Sequence, residues 1–154
     1  MNWFFALMSN KFFIVGLSSW AFAQVLKTII HAAIYKKLEW ERLFGDGGMP
    51  SGHSATVTSV AAMSALVYGL GSFEFAIAAT LAIIVCHDAM GVRRETGKQA
   101  TIIIEMMELL EAITKKDLPE AKLKEFVGHT PLQVGAGIII GIANACFLYF
   151  VVFV

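Results

Sequence analysis

Four long stretches almost without charge govern what this chain can become: residues 12–34, 54–70, 74–90 and 132–154. Of its 154 residues 57% are hydrophobic and only 16% charged, which is more apolar surface than a globule of this length can bury. The expectation is an all-α integral membrane protein: a single membrane-embedded domain over 1–154, with about four transmembrane helices in a bundle. The middle two stretches are short against the roughly 20 residues that cross a hydrocarbon core, so they are expected deep in the bundle or opening on a polar cavity. No small-residue cleavage site follows the first stretch, which therefore reads as a retained helix and not a signal peptide.

The charges that remain are unevenly placed. Ten of the twelve Lys and Arg residues fall in 36–42 and 93–124, after the first and third apolar stretches, so the positive-inside rule puts both on the cytoplasmic side of an inner or plasma membrane. Gly69-Leu70-Gly71-Ser72 makes the tight connection between the second and third stretches. Residues 99–113 set Ile102, Ile103, Met106, Leu109, Leu110 and Ile113 on one helical face, with Glu105, Glu108 and Glu111 largely elsewhere. That is an amphipathic helix for the membrane surface or the bundle. Cys86 and Cys146 lie in apolar runs and read as core thiols, not as a disulfide or a metal set.

Chemistry concentrates at two helix starts. Met49-Pro50-Ser51-Gly52-His53-Ser54 places a turn, a helix N-terminus and an imidazole at the mouth of the second stretch. Backbone N–H groups around Ser51 and Gly52 are available there to an anion, and His53 can move a proton near neutral pH. The plainer reading is Ser51 as an N-cap beside a surface His. At the last stretch, Thr130, Pro131 and Gln133 make a capping box with Pro at the first helical position, which accounts for those three residues but not for His129 beside them. Lys27, with Gln24 and His31 a turn to either side, forms a polar stripe inside an apolar run, where ionisable residues are functional by default. Snorkelling to the interface is its alternative. Arg93 and Arg94 suit bidentate phosphate contact, or anchor the chain as positive-inside residues. Gly137 and Gly141 give a small-residue face for close helix contact.

Pro50-Ser51-Gly52-His53, Gly128-His129-Thr130-Pro131 with Val134, Gly137 and Gly141, and the run His87-Asp88-Ala89-Met90-Gly91-Val92-Arg93-Arg94-Glu95 resemble the type 2 phosphatidic acid phosphatases and vanadium haloperoxidases, most closely their short, divergent membrane branch. The resemblance implies that His129 attacks phosphorus to form a phosphohistidine, that His53 protonates the leaving alkoxide, and that Lys27 and Arg42 bind phosphoryl oxygens without metal or other cofactor. The departures are specific. Ile34 stands seven residues after Lys27 where the family has an Arg-Pro, Leu123 replaces an Arg six before His129, and Gln133 replaces an Asp four after it. Gln133 can accept a hydrogen bond from an imidazole but cannot stabilise an imidazolium by charge. Asp88 is the expected replacement acid, and Arg93 and Arg94 the replacement cations.

These residues lead to the expectation of a membrane phosphatase for a lipid or isoprenoid phosphate monoester, with its site facing the cytoplasm. A second expectation is an anionic-lipid-binding membrane protein or assembly factor that keeps the fold with little or no catalysis. An Asp-metal phosphotransferase built on Asp88 and Glu95 is weaker, since two separated acids do not make a Mg²⁺ cluster. Membrane lipids and the lipid phosphate are the expected partners, nucleic acid is not, and a bundle of four spans is expected to form a homodimer or higher oligomer with its last helix as a contact.

Overall fold

A computed structural model describes residues 2–37, 48–115 and 129–153, without the side chains of residues 92–94. Arg42, Lys116, Lys122 and Lys124 lie outside the described residues. Among the described residues six α-helices follow one another: α1 (Trp3–Met8), α2 (Lys11–Tyr35), α3 (Gly52–Tyr68), α4 (Phe73–Met90), α5 (Val92–Thr114) and α6 (Pro131–Phe147). The last is extended by a π-helical turn, Leu148–Val152. Among the described residues there is no strand, as the all-α reading requires.

Local chemistry sets the helix ends. The Asn10 side chain accepts from the N–H groups of Phe12 and Phe13 and starts α2. Ser51 caps α3 through the Ser54 N–H, Ser72 caps α4 through the Phe75 N–H, and Thr130 and Gln133 cap α6 reciprocally. Gly69 ends α3 at φ 86°, a conformation that suits a residue without Cβ.

α3 is the centre of the bundle, packed against α2, α4 and α6. Among the described residues three segments are long and apolar enough to cross a membrane: Lys11–Tyr35, the run Phe73–Thr114 that joins α4 to α5, and Pro131–Val152. The fourth expected span corresponds to α3, whose 17 residues extend only about 25 Å. Its neighbours enclose it, so its composition answers to packing more than to lipid. Small residues line it, and its hydroxyls are satisfied locally: Thr56 donates to the Gly52 carbonyl at 2.8 Å, Thr58 to Ser54 at 2.6 Å and Ser64 to Val60 at 2.9 Å. Such back-bonding lets Ser and Thr occupy a buried helix without an orphaned donor.

Close approach is the rule on two faces of α3. On α6, a Cβ at Gly137 would come 2.5 Å from the Ser51 carbonyl oxygen and 3.0 Å from Ser54 Cβ. One at Gly141 would collide with Thr58 Oγ1 and the Ala55 carbonyl oxygen. The small-residue face is therefore used inside the chain, against α3, and supplies no argument for a second copy. On the α2 side, Ser59 Oγ donates to the Val15 carbonyl at 3.2 Å, and Val15, Met63 and Ala145 form a buried apolar cluster. The Asn144 amide donates to Ser18 Oγ at 2.9 Å and Ser19 Oγ at 2.8 Å, locking α6 to α2. Bonds of this kind contribute on the order of 0.6–2 kcal/mol each in a membrane bundle.

α5 runs on from α4 across Gly91 and begins at Val92, earlier than the amphipathic pattern at 99–113 suggests. Ile102, Met106, Leu109 and Ile113 on its apolar face are exposed. That is the expected state of a helix whose apolar side meets membrane and not protein.

Because backbone meets backbone at Gly141, Gly141→Ala should overpack the α3–α6 contact and cost about 1–3 kcal/mol. Gly135→Ala, whose added Cβ meets nothing within 4 Å, should be neutral or mildly stabilising. Thermal unfolding of the two variants in detergent checks the contrast.

Candidate active site

Three segments far apart in sequence meet at the end of the bundle where α3 and α6 begin and α4 finishes. The Ser51 N–H donates to the Gln133 carbonyl at 3.0 Å, and the His129 N–H donates to the Ala89 carbonyl at 2.9 Å. The 49–54 motif is thereby tied to α6, and His129 to the last turn of α4. Cys86, Ala89 and Val134 pack as a small core beneath this junction. Cys86 is a buried free thiol, as its apolar surroundings in sequence suggest.

α2 brings the fourth piece. It runs antiparallel to α3, so that Gly16 faces Val60 and Thr56 while Trp20 and Gln24 face Gly52. Lys27 lies a turn further on and is 5% exposed. A Cβ at Gly48 would stand 3.3 Å from Lys27 Cγ; the Gly48 backbone, at φ 85°, thus lies on the lysine stem just before the 49–54 motif. Burial of Lys27 does not match a snorkelling lysine, whose head is exposed.

Ser51 is fully buried, and its hydroxyl oxygen accepts from the Ser54 hydroxyl at 3.0 Å and the Ser54 N–H at 3.3 Å. The N-cap reading of Ser51 therefore holds. The same cap directs the first turn of α3 toward the junction.

Gln133 does more than cap α6. Its Oε1 accepts the Thr130 N–H at 3.0 Å, and a backbone N–H can only donate, so this atom is an acceptor. The same Oε1 lies 3.3 Å from His129 Nδ1. Nδ1 must then carry the proton, and the neutral ring keeps its lone pair on Nε2. A neutral Gln thus selects the tautomer of His129, a task that an acidic partner performs in the Ser-His-Asp triad. It adds no charge.

The two histidines are placed differently. His129 is 5% exposed, whereas His53 is exposed and turns toward the gap between α2 and α4, where it lines a cavity with Trp20, Val57 and Val85. Asp88 is half-buried one residue before Ala89, and His87 is exposed. Arg93 and Arg94 stand in the first turn of α5, with side chains outside the described set. The described residues contain no group of three or more His, Cys, Asp or Glu that could hold a metal ion.

Two contributors are hard to find by motif. Trp20 reaches Gly52, its Nε1 3.8 Å from where a Cβ would be, and Gln24 lies behind it with its Oε1 3.9 Å from the same point. Gln24 Oε1 is buried without a hydrogen-bond partner, which is costly unless the amide works for a ligand. Gln24 was visible only as a member of the polar stripe. Trp20 had no signal beyond its helical spacing from Gln24 and Lys27.

Comparison with known proteins agrees with the motif resemblance. A family model described as the divergent PAP2 family matches residues 8–144. A protein of Bacillus subtilis (strain 168) described as uncharacterized membrane protein YuiD is 40% identical over 145 residues, which cover 88% of this chain and 92% of that one. No solved structure matches the chain.

Replacing Gln133 tests its double role. Gln133→Leu should lose the reciprocal cap, at about 0.5–2 kcal/mol, and let His129 populate both tautomers. Gln133→Glu should keep both contacts and raise the imidazole pKa by placing a carboxylate beside it. Nitrogen-15 NMR of histidine-labelled protein reports tautomer and titration together; an unchanged Nδ1–H in Gln133→Leu contradicts the assignment.

Proposed function

We infer, for a chain that belongs to the divergent PAP2 family, that the junction of α3, α4 and α6 with Lys27 is a phosphoryl-transfer site for lipid phosphate monoesters. The observation that carries this reading is the backbone tie of the 49–54 motif to Gln133 at 3.0 Å and of His129 to Ala89 at 2.9 Å. A buried imidazole held between two helix N-termini is a setting that suits an anion.

In the proposed reaction, the Nε2 lone pair of His129 attacks phosphorus. The bond from phosphorus to the lipid oxygen breaks, and His53 gives its proton to the departing alkoxide. Water then attacks the phosphohistidine, with His53 taking one proton from it, and inorganic phosphate leaves. Lys27, with Arg93 or Arg94 and Arg42, meets the charge on the equatorial oxygens, helped by N–H groups at Ser51 and Gly52. Asp88 supplies the acid that Gln133 does not. The basic stretches put this site on the cytoplasmic side.

The neutral Gln133 supports a second reading, in which the site binds the anionic head of a lipid and turns over little or not at all. The two are separated by phosphate release from a panel of lipid phosphates by purified protein. The catalytic reading predicts inhibition by vanadate and none by EDTA, since the proposed chemistry uses no metal. His129→Ala should abolish turnover while leaving lipid binding. His53→Ala should slow poor leaving groups most, by about 10²–10⁴-fold. Turnover that survives both substitutions, or that EDTA removes, contradicts it.

A further inference from the structure

α3 has three neighbours, α2, α4 and α6, and the gap between α2 and α4 is left open as a cavity of about 460 Å³. That volume lies within the range of small-ligand sites. Phe13, Gly16, Leu17 and Trp20 form one wall, Val85 the other, and Thr56, Val57 and Val60 the floor, with His53 the titratable side chain in the lining. His53 marks one end. From His53 to Val60 the floor runs seven residues along α3, about 10 Å.

The two ends of this trough differ in chemistry. Near the start of α3, His53 and Trp20 adjoin Gly52 and Gln24, and Trp20, Gln24 and Lys27 follow one another on a single face of α2. Away from it the lining is apolar to Phe12, and the rim is open: Leu17 is 50% and Phe13 39% exposed. In a bilayer that rim faces hydrocarbon. The floor is one helix face wide because Gly16 brings α2 close, its notional Cβ 3.2 Å from Val60 Cγ2.

We propose that this trough is the slot for the hydrocarbon chain of the substrate, and that its single-helix width selects phosphates carried on one chain over diacyl lipids. The inference rests on the phosphoryl-site reading above and names the substrate class for it. A chain in the slot puts its phosphate at the polar end, beside Lys27 and the α3 N-terminus, and its bridging oxygen beside His53. Proton transfer from His53 makes the leaving group a neutral alcohol. Only that form stays in an apolar trough without a desolvation cost, and it leaves sideways into the bilayer.

The experiment reads binding, not turnover, so that it is independent of the phosphatase chemistry. Full-length protein in phosphatidylcholine vesicles is photolabelled with a single-chain alkyl phosphate carrying a mid-chain diazirine, and labelled peptides are mapped. Labelling is expected on residues 12–20 of α2 and 53–60 of α3, to fall at least tenfold with excess unlabelled single-chain alkyl phosphate, and to persist with excess diacyl phosphatidic acid. Leu17→Trp and Val85→Phe, which fill the trough from opposite walls, should each reduce labelling several-fold. A wild-type protein that labels this way without any turnover keeps the slot and loses the phosphatase reading. Labelling spread evenly over lipid-facing Ile83, Ile84 and Ile139, equal competition by the diacyl lipid, or equal labelling by the corresponding diazirine alcohol overturns the proposal.

Discussion

The site depends on how closely α6 lies on α3. Gly137 and Gly141 let the two backbones meet where any side chain would collide with the Ser51 and Ala55 carbonyls, and only at that separation can the Ser51 N–H reach the Gln133 carbonyl. The contact is made of main chain. It therefore positions two helix N-termini with little rotameric freedom, which is the precision that the proposed phosphoryl transfer demands. The part-buried Asn144–Ser18–Ser19 cluster and the Lys27 stem against Gly48 add α2 to the same frame.

Within that frame, Gln133 joins stability to chemistry. One oxygen serves the cap of α6 and the Nδ1 proton of His129, so whatever loosens the helix start also releases the tautomer. The exchange of a carboxylate for an amide keeps orientation and gives up charge. In the proposed reaction an imidazolium at His129 needs another counter-charge, and the proposal assigns it to half-buried Asp88, next in the chain to the Ala89 carbonyl that accepts the His129 N–H. His53 has the opposite environment, exposed at the head of an apolar trough, where it is open to protons and to the lipid side alike.

Much of this was legible in the sequence because it is written in local rules. The Ser51 and Thr130 caps, the turn at Gly69, the apolar spans at α2 and α6 and the amphipathic α5 all follow from spacing and turn chemistry. The short lengths of 54–70 and 74–90 point both toward the bundle interior; what spacing could not tell was that α3, and not α4, would be the enclosed one. α3 resembles a span by composition, yet its Ser, Thr and Ala residues serve three helix contacts, and burial by neighbours is a tertiary property. The same limit hid the partner of Gly137 and Gly141, which serves an intramolecular contact as readily as a dimer. It also hid the role of Trp20, whose reach to Gly52 depends on the register between α2 and α3.

The account stands or falls on whether His129 carries the phosphoryl group. Protein mixed with a single-chain lipid phosphate and quenched in alkali, which preserves phosphohistidine, should show by mass spectrometry a phosphoryl group on His129. The adduct should be lost in His129→Ala and should accumulate in His53→Ala with substrates whose leaving groups need no proton. A phosphoryl group on Asp88, or turnover with none on His129, would contradict it.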